Sequence, residues 1–278
     1  MQIDQVWFIR HACSIINLWD DWQNNKIDES LITPSELSFL KSAENLSDIK
    51  FLDAPLCQIG RTQAKASQSI VAQLPIKYII TSPLARTLET TQILFDKHMY
   101  KNDIEVIVHP LIRECLASSD DIPEWTLITQ REKYVREGGL NYNFTMLESM
   151  HKGLYFLESV EPELKEFVTK ELEIFGEDKY PQVLIKLMEN KARLVNNKHE
   201  YVESFSNTRK RAKSFLVWLK EFIKEKKINP SEVAVITHMY FLQCLAAKKF
   251  NEDGTPIYPT VANAIPFQID IDELLKHY

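Results

Sequence analysis

Three short stretches decide the fold of this chain: Phe8-Ile9-Arg10-His11, Ser82-Pro83-Leu84-Ala85-Arg86-Thr87 and Val235-Ile236-Thr237-His238. Each one ends or follows a short apolar run of the kind that forms a buried strand, and each places a cation or an imidazole at the strand's carboxyl end. In open α/β sheets that edge is where ligands bind. Two arginines and two histidines that converge there predict a site for a phosphoryl group.

The order of these motifs resembles the histidine phosphatase superfamily, which has the phosphoglycerate-mutase-like fold. The family signature is an Arg-His pair after the first strand, a Ser-Pro-Leu-x-Arg helix start, an acid after a later strand, and a second His after a late strand. This chain has Arg10-His11, residues 82–86, Glu114 and Thr237-His238 in the same order. An Arg-His pair alone would recur by chance, so the resemblance depends on all four motifs together.

The resemblance implies a role for each matched residue. His11 is the expected nucleophile, which forms a phosphohistidine intermediate, and Arg10 and Arg86 are expected to hold phosphoryl oxygens. His238 is expected to donate to the transferring group, both as a catalytic and as a phosphate-binding residue. Glu114 is the expected general acid for the leaving oxygen and then the general base for water.

Two further residues match an Arg-His-x-x-Ser-x-x-Asn extension of the family motif. Asn17 is expected to contact phosphate, and Ser14 belongs to the same extension. From the residues themselves, Ser82 caps the next helix, whose N-terminus would add anion-binding N–H groups. The other histidines show no metal-ligand spacing, so we expect no metal and no other cofactor.

Taken singly, the same residues have structural interpretations. A histidine at a strand end is often a satisfied core residue, Arg86 is compatible with an ordinary helix ion pair, and Glu114 with a turn cap beside Arg113. The four motifs in order favour the functional interpretation.

Strands that alternate with helices predict an α/β fold with a mostly parallel central sheet flanked by helices on both faces. The predicted strands are Gln5–Ile9, Tyr78–Thr81, Ile104–Val108, Glu232–Thr237 and, at one edge, Asn263–Ile269.

The sequence predicts a single domain over residues 1–278, with a helical cap insertion at 118–200 over the active edge. A second excursion, residues 18–53, includes the capped helix start Thr33-Pro34-Ser35-Glu36. At the next helix, Cys57 stands where the family has threonine, which predicts the loss of a hydroxyl cap.

Composition narrows the partners. The chain carries a net charge of −6 with a pI near 5.7, which argues against nucleic acid as the main partner. No leader and no apolar run of about 20 residues is visible, so we expect no membrane association and a cytoplasmic protein, with non-classical secretion left open. The four scattered cysteines predict free thiols in a reducing compartment. The sequence does not determine the oligomeric state.

The expected activity is metal-independent hydrolysis of a phosphate monoester, with a phosphorylated small molecule or a phosphoprotein as substrate. Two alternatives stay open: a phosphoglycerate mutase-type phosphotransferase, and a catalytically weak protein-binding module on the phosphatase fold. Arg131, Lys133 and Arg136 are candidates for binding a second acidic group of the substrate, or are simply surface charge.

Overall fold

The computed structural model describes residues 5–45, 48–122, 139–148, 162–176, 179, 182–187, 202–252 and 254–278. Its centre is a six-stranded sheet in the order β4-β3-β2-β5-β1-β6. The strands are β1 Gln5–Arg10, β2 Tyr78–Thr81, β3 Glu105–Val108, β4 Asn141–Asn143, β5 Val233–Thr237 and β6 Pro266–Asp270. The first five run parallel along the sheet and β6 pairs antiparallel with β1, so the predicted mostly parallel sheet is confirmed.

Helices cover both faces of this sheet. They are α1 Ile15–Gln23, α2 Pro34–Ser42, α3 Gln58–Val71, α4 Ala85–Phe95, α5 Thr145–Glu148, α6 Pro162–Phe175, α7 Phe205–Lys226, α8 Met239–Ala246 and α9 Ile271–Leu275. Short 3₁₀ turns join several of them, and residues 182–187 are also helical. None of the described helices is both long and apolar enough to cross a bilayer.

Strand side chains alternate between two hydrophobic cores. In β1, Ile9 packs into the core that holds α3 and α4 residues, whereas Phe8 packs into the core that holds α7 and α8 residues. In β5, Ile236 and Val235 divide in the same way. A strand with alternate side chains buried on opposite faces must be covered on both, as the apolar runs predicted.

The range predicted as a helical insertion, 118–200, is not wholly helical. Asn141–Asn143 form β4, which pairs with β3 and extends the sheet. Three residues of strand give too short a pattern to stand out from the helical patterns around it. Leu164 and Val168 of α6 pack into the same core as α3 and α4 residues. The capping of the active edge stays a prediction, and Arg131, Lys133 and Arg136 lie outside the described residues.

The excursion at 18–53 has a small core of its own. Thr33 and Glu36 form the predicted capping box at the start of α2. Leu18, Leu40 and Phe51 are fully buried together in this cluster. The excursion is therefore a folded layer packed beside the loop that follows β1.

The start of α3 corrects an expectation about its cap. Cys57 replaces the hydroxyl residue, yet its Sγ accepts a hydrogen bond from Gly60 N at 3.4 Å, so a thiol caps the helix. The backbone of Gly60 lies against the loop after β1, because a Cβ there would sit 1.9 Å from the Cys13 carbonyl oxygen. Only glycine fits this contact.

Candidate active site

The parallel pairing of β1 with β5 brings the two histidine motifs together. Arg10 pairs with Thr237, so the residues that follow them, His11 and His238, leave neighbouring strands side by side. His11 N donates to the Thr237 carbonyl at 2.9 Å, and the two imidazole centroids are 5.1 Å apart. The sheet register alone therefore produces the pair of imidazoles.

The backbone fixes the tautomer of His11. A carbonyl oxygen only accepts, so the 2.7 Å contact between His11 Nδ1 and the Ala12 carbonyl places the proton on Nδ1. The lone pair is then on Nε2. Burial lowers the pKa of His11 well below its usual range, and the charges of Arg86 and Arg10 lower it further. His11 is thus a neutral imidazole whose Nε2 carries the lone pair.

A cavity of about 310 Å³ opens at this edge of the sheet. Arg10, His11, Asn17, Arg86 and Glu114 all line it, so five residues singled out from the sequence meet at one place. The remaining lining residues are Ile16, Asp20, Ala117, Ser118, Asp120, Asp121, Met239 and Tyr240.

Arg10 uses one of its guanidinium donors within the protein and keeps another without an acceptor among the described residues. Its Nη1 donates to the Val261 carbonyl at 3.1 Å, which anchors the guanidinium beside the cavity. Its buried Nε–H has no hydrogen-bond acceptor among the described residues. A guanidinium held in this way can offer the remaining donors to an anion.

Arg86 is only 2% exposed and forms two ion pairs with the chain that follows Glu114. Its Nη2 donates to Asp121 Oδ1 at 2.7 Å, and its Nη1 lies 3.2 Å from Asp120 Oδ2. Nη1 also donates to the Asp120 carbonyl at 2.6 Å. Burial alone would lower the pKa of Arg86, but the charges of Asp120 and Asp121 outweigh it and raise that pKa. An incoming phosphate must therefore share or displace these carboxylates.

His238 is placed differently from the expectation. It is fully buried, and it is not among the residues that line the cavity. Arg86 Nε donates to its Nδ1 at 3.3 Å, so the proton lies on Nε2, which donates to Ser82 Oγ at 2.7 Å. Burial, followed by the charge of Arg86, lowers the pKa of His238 well below its usual range. The contact seen here is with Arg86, and donation to the phosphoryl group stays a prediction.

Ser82 does not cap α4 as predicted. The helix begins at Ala85, whose N–H donates to Asp53 Oδ1 at 2.7 Å, so a residue far along the chain supplies the cap. Ser82 Oγ serves instead as the acceptor for His238. A dipeptide pattern of serine and proline cannot show that an aspartate from the excursion takes over the capping.

Glu114 points into the cavity and is held by backbone N–H groups. Cys115 N and Phe241 N donate to Oε1, each at 2.9 Å, and Tyr240 N donates to Oε2 at 3.1 Å. Burial raises the pKa of Glu114 against these hydrogen bonds and the charge of Arg86, which lower it. The first turn of α8 thus fixes the carboxyl group, while its surroundings favour a proton on it.

A buried ion triad lies beneath this loop. Glu203 accepts from Arg113 Nη1 at 2.8 Å and from Arg211 Nε at 3.0 Å. Arg211 also donates to the carbonyls of Arg113 and Glu114. No sequence pattern links Glu203 with Arg113 and Arg211.

Asn17 lines the cavity, and Ser14 supports it. Ser14 Oγ accepts from Asn17 N at 3.4 Å, and Asn17 Oδ1 accepts from Ser14 N at 3.2 Å, which is a capping box at the start of α1. Because the amide oxygen is used in the cap, the amide NH₂ is the group that Asn17 can offer to an anion. The sequence did not predict this helix.

Among the described ranges, no group of three or more His, Cys, Asp or Glu side chains is placed to hold a metal ion. The charged and polar groups that line the cavity include the guanidiniums of Arg10 and Arg86, the His11 imidazole, and the carboxyl groups of Glu114, Asp120 and Asp121. This arrangement suits a phosphate monoester, with its anion on the cations and its ester oxygen toward an acid.

Structural comparison finds several phosphatases with modest similarity. The mycobacterial glucosyl-3-phosphoglycerate phosphatase superposes with a TM-score of 0.45 and 14% identity over 95% of this chain and 90% of that one. The ecdysone phosphate phosphatase of Bombix mori superposes with a TM-score of 0.48 and 15% identity, over 95% of this chain and 88% of that one. A putative alpha-ribazole-5'-P phosphatase of Escherichia coli superposes with a TM-score of 0.48 and 13% identity, over 96% of this chain and 90% of that one.

Sequence comparison gives a more direct result. No curated protein matches the chain. Residues 43–149, which contain both Arg86 and Glu114, match the model of the histidine phosphatase superfamily, branch 1. This match confirms the resemblance that the motifs carry, over residues 43–149 of the chain.

Proposed function

We propose that this chain hydrolyses phosphate monoesters, without a metal ion, through a phosphohistidine intermediate on His11. The observation that carries the proposal is the neutral imidazole of His11, whose Nδ1 is held by the Ala12 carbonyl while Nε2 carries a lone pair beside two arginines. An anionic phosphoryl group needs cations around it and an uncharged nucleophile in line with the leaving oxygen.

In the first step, His11 Nε2 attacks phosphorus as the bond to the ester oxygen breaks. Arg10 and Arg86 hold the non-bridging oxygens, and Asn17 offers its amide NH₂. Glu114, whose pKa is raised by burial, transfers its proton to the leaving oxygen, so the alcohol departs neutral.

In the second step, the Glu114 carboxylate takes a proton from water while the water oxygen attacks phosphorus. The bond between phosphorus and Nε2 breaks, and inorganic phosphate leaves with His11 neutral again. His238 acts through Arg86, because its Nδ1 accepts a hydrogen bond from Arg86 Nε. It contacts the phosphoryl group directly once its Nε2–H is released from Ser82 Oγ.

The size of the cavity supports a phosphorylated small molecule as substrate. At about 310 Å³ it holds a phosphoryl group and a small alcohol, and it is lined by carboxylates beyond the arginines. A screen of phosphorylated metabolites, with phosphopeptides included as an alternative class, identifies the preferred ester. Turnover of para-nitrophenyl phosphate in the presence of a chelator tests independence of metal.

The deciding experiment is trapping of the intermediate. A short pulse with a ³²P-labelled ester should leave acid-labile, base-stable label on the wild type and none on His11→Ala. His277→Ala, which changes a partly exposed histidine on the surface, should label like the wild type. Label that persists on His11→Ala would show that another residue takes up the phosphoryl group.

The same preparation separates a phosphatase from a mutase-type phosphotransferase. A phosphatase passes the label to water and releases inorganic phosphate, whereas a mutase returns it to a phosphoglycerate acceptor. Folded protein that neither labels nor turns over any ester would favour the binding module instead.

A further inference from the structure

Cys13 and Cys57 lie opposite each other across a loop beside the cavity. Cys13 is two residues after His11 in the chain. The two cysteines flank the antiparallel bridge between Ser14 and Leu56, and Cys57 N donates to the Cys13 carbonyl at 3.1 Å. Hydrogen-bonded partners in an antiparallel pair have Cα atoms about 5.5 Å apart. A disulfide spans Cα separations of roughly 4.4–6.8 Å, which includes the separations typical of residues opposite each other across an antiparallel bridge.

The side chains of the pair also meet. Cys57 Sγ donates to the Cys13 carbonyl at 3.3 Å, and Cys13 Sγ donates to the Ser14 carbonyl at 3.6 Å. Cys57 is fully buried and Cys13 is 8% exposed. An oxidant that reaches the pair must therefore be small.

The environment makes Cys57 the more reactive member. Its Sγ caps α3 and accepts from Gly60 N, a position at which a helix N-terminus stabilises a thiolate. The hydrogen bond from Cys13 lowers the pKa of Cys57, and the Gly60 N–H adds to this against burial. The same thiol–thiol hydrogen bond, together with burial, raises the pKa of Cys13.

We propose that hydrogen peroxide converts Cys13 and Cys57 into a disulfide and that this bond lowers turnover at the adjacent site. The Cys57 sulfur attacks one peroxide oxygen, the O–O bond breaks, and water leaves with Cys57 as a sulfenic acid. The Cys13 sulfur then attacks the Cys57 sulfur, the S–O bond breaks, and a second water leaves. The two thiols lose two electrons and two protons, and peroxide takes up both.

The effect on turnover rests on the proposed function and follows from the tight packing of this loop. Disulfide formation shortens the distance between the two sulfurs to about 2 Å, the length of an S–S bond. The Cys13 carbonyl is pressed against Gly60, so the loop cannot absorb the movement there. Ala12, which lies between Cys13 and His11, supplies the carbonyl that orients the His11 ring.

The other two cysteines provide matched controls. Cys115 Sγ donates to the Glu203 carbonyl at 3.2 Å and Cys244 Sγ contacts the Phe205 carbonyl at 3.8 Å, and neither caps a helix. A Cys115→Ser/Cys244→Ser double variant retains only the proposed pair. A Cys13→Ser/Cys57→Ser double variant retains only the controls.

The bond itself is tested without reference to activity. The Cys115→Ser/Cys244→Ser variant is treated with hydrogen peroxide, its free thiols are blocked, and it is digested without reduction. We expect the loss of two thiols and a linked peptide pair that contains Cys13 and Cys57. Thiols that stay free, or that oxidise to sulfinic acid without forming a link, overturn the proposal.

The consequence is tested by turnover of the ester that the protein hydrolyses best. Peroxide should remove most of the turnover of the Cys115→Ser/Cys244→Ser variant, and dithiothreitol should restore it. Relative to its own untreated sample, the Cys13→Ser/Cys57→Ser variant should keep its rate. If the disulfide forms and turnover is unchanged, the proposal that this bond lowers turnover is overturned. If the untreated protein hydrolyses no ester, the proposed function fails, while the peptide result still decides whether the bond forms.

Discussion

The two sides of the cavity are built by different means. On the nucleophile side, residues 10–14, the pairing of β1 with the parallel strand β5 and the Ala12 carbonyl place a neutral histidine. On the acid side, residues 113–121, a loop is held by ion pairs with residues distant in the chain. The first depends on local sequence at a strand end, and the second depends on long-range charge pairing.

The difference predicts different responses to change. The nucleophile side carries the charge of Arg10, whereas burial keeps His11 neutral. The acid side gathers Glu114, Asp120 and Asp121 around Arg86, with burial raising the pKa of Asp121. Removal of one charged group there leaves its partners buried and unpaired, which is costly.

The largest expected effect comes from Glu114, the proposed proton donor on the acid side. Glu114→Gln keeps the size of the side chain and removes the acid, so hydrolysis of an alkyl phosphate should fall by ~10²–10⁴-fold. The nitrophenolate of para-nitrophenyl phosphate barely needs a proton, so its hydrolysis should fall much less. Steady-state kcat/KM for both esters measures the difference.

Glu232→Gln is the matched control for this experiment. Glu232 lies before β5, at the other edge of the sheet, and pairs with Lys77. Its replacement should leave the ratio between the two esters unchanged. Equal losses for both esters in Glu114→Gln would mean that another group is the acid, and Asp121 would be the next residue to test.

The second effect tests the residue that joins the two sides. Arg86→Lys keeps the charge and removes the fork that reaches Asp120, Asp121 and His238 at once. By analogy with removal of one donor to a transition-state oxyanion, kcat/KM should fall by ~10²–10³-fold. Arg209→Lys, which donates to two backbone carbonyls far from the cavity, should stay close to wild type. A variant that loses only stability would assign Arg86 a purely structural role.

The third prediction separates a neutral histidine from a catalytic one. His109 also follows a strand, β3, but packs on Trp218 with ring centroids 4.2 Å apart. Burial lowers its pKa from 6.5 to about 3. The unfolded chain therefore binds a proton first as the pH falls, and the stability that a neutral His109 contributes is present above pH 6.5 and is lost toward pH 3.

His109→Asn tests this, because an amide oxygen can replace Nδ1 as acceptor for Leu111 N. Below pH 6.5 the wild type should lose about 1.4 kcal/mol more per pH unit than the variant, measured by urea unfolding. Turnover at pH 7 should be retained. Parallel stability curves would mean that His109 titrates normally, and a loss of turnover would place it in the site.

This contrast marks how far the sequence predicts the site. Arg10, His11 and Glu114 line one cavity, as expected for motifs that follow parallel strands and so reach the same edge of the sheet. The position of His238 was predicted, whereas its contact with Ser82 was not, since side-chain orientation depends on Arg86. Asp120 and Asp121 gave no signal, because their pairing with Arg86 exists only once the chain has folded.

The fold shows the same limit. Strands β1, β2, β3, β5 and β6 were predicted, because each coincides with a recognisable apolar run. The short strand β4, the start of α4 and the thiol cap of α3 were not, since each depends on one hydrogen bond or a few residues. A cap supplied by Asp53 from the excursion has no local pattern that could reveal it.

The smallest expected effect returns to the nucleophile side. Ser14→Ala removes one half of the capping box that holds α1 and Asn17, and loss of such a cap costs about 1 kcal/mol of stability. Because Asn17 then loses its orientation, KM for the preferred ester should rise while kcat changes little. Thr33→Ala removes the equivalent cap of α2, away from the cavity, and should lower stability by a similar amount with KM unchanged. If both variants raise KM alike, the excursion as a whole shapes the site, and the division between a locally built nucleophile side and a long-range acid side would not hold.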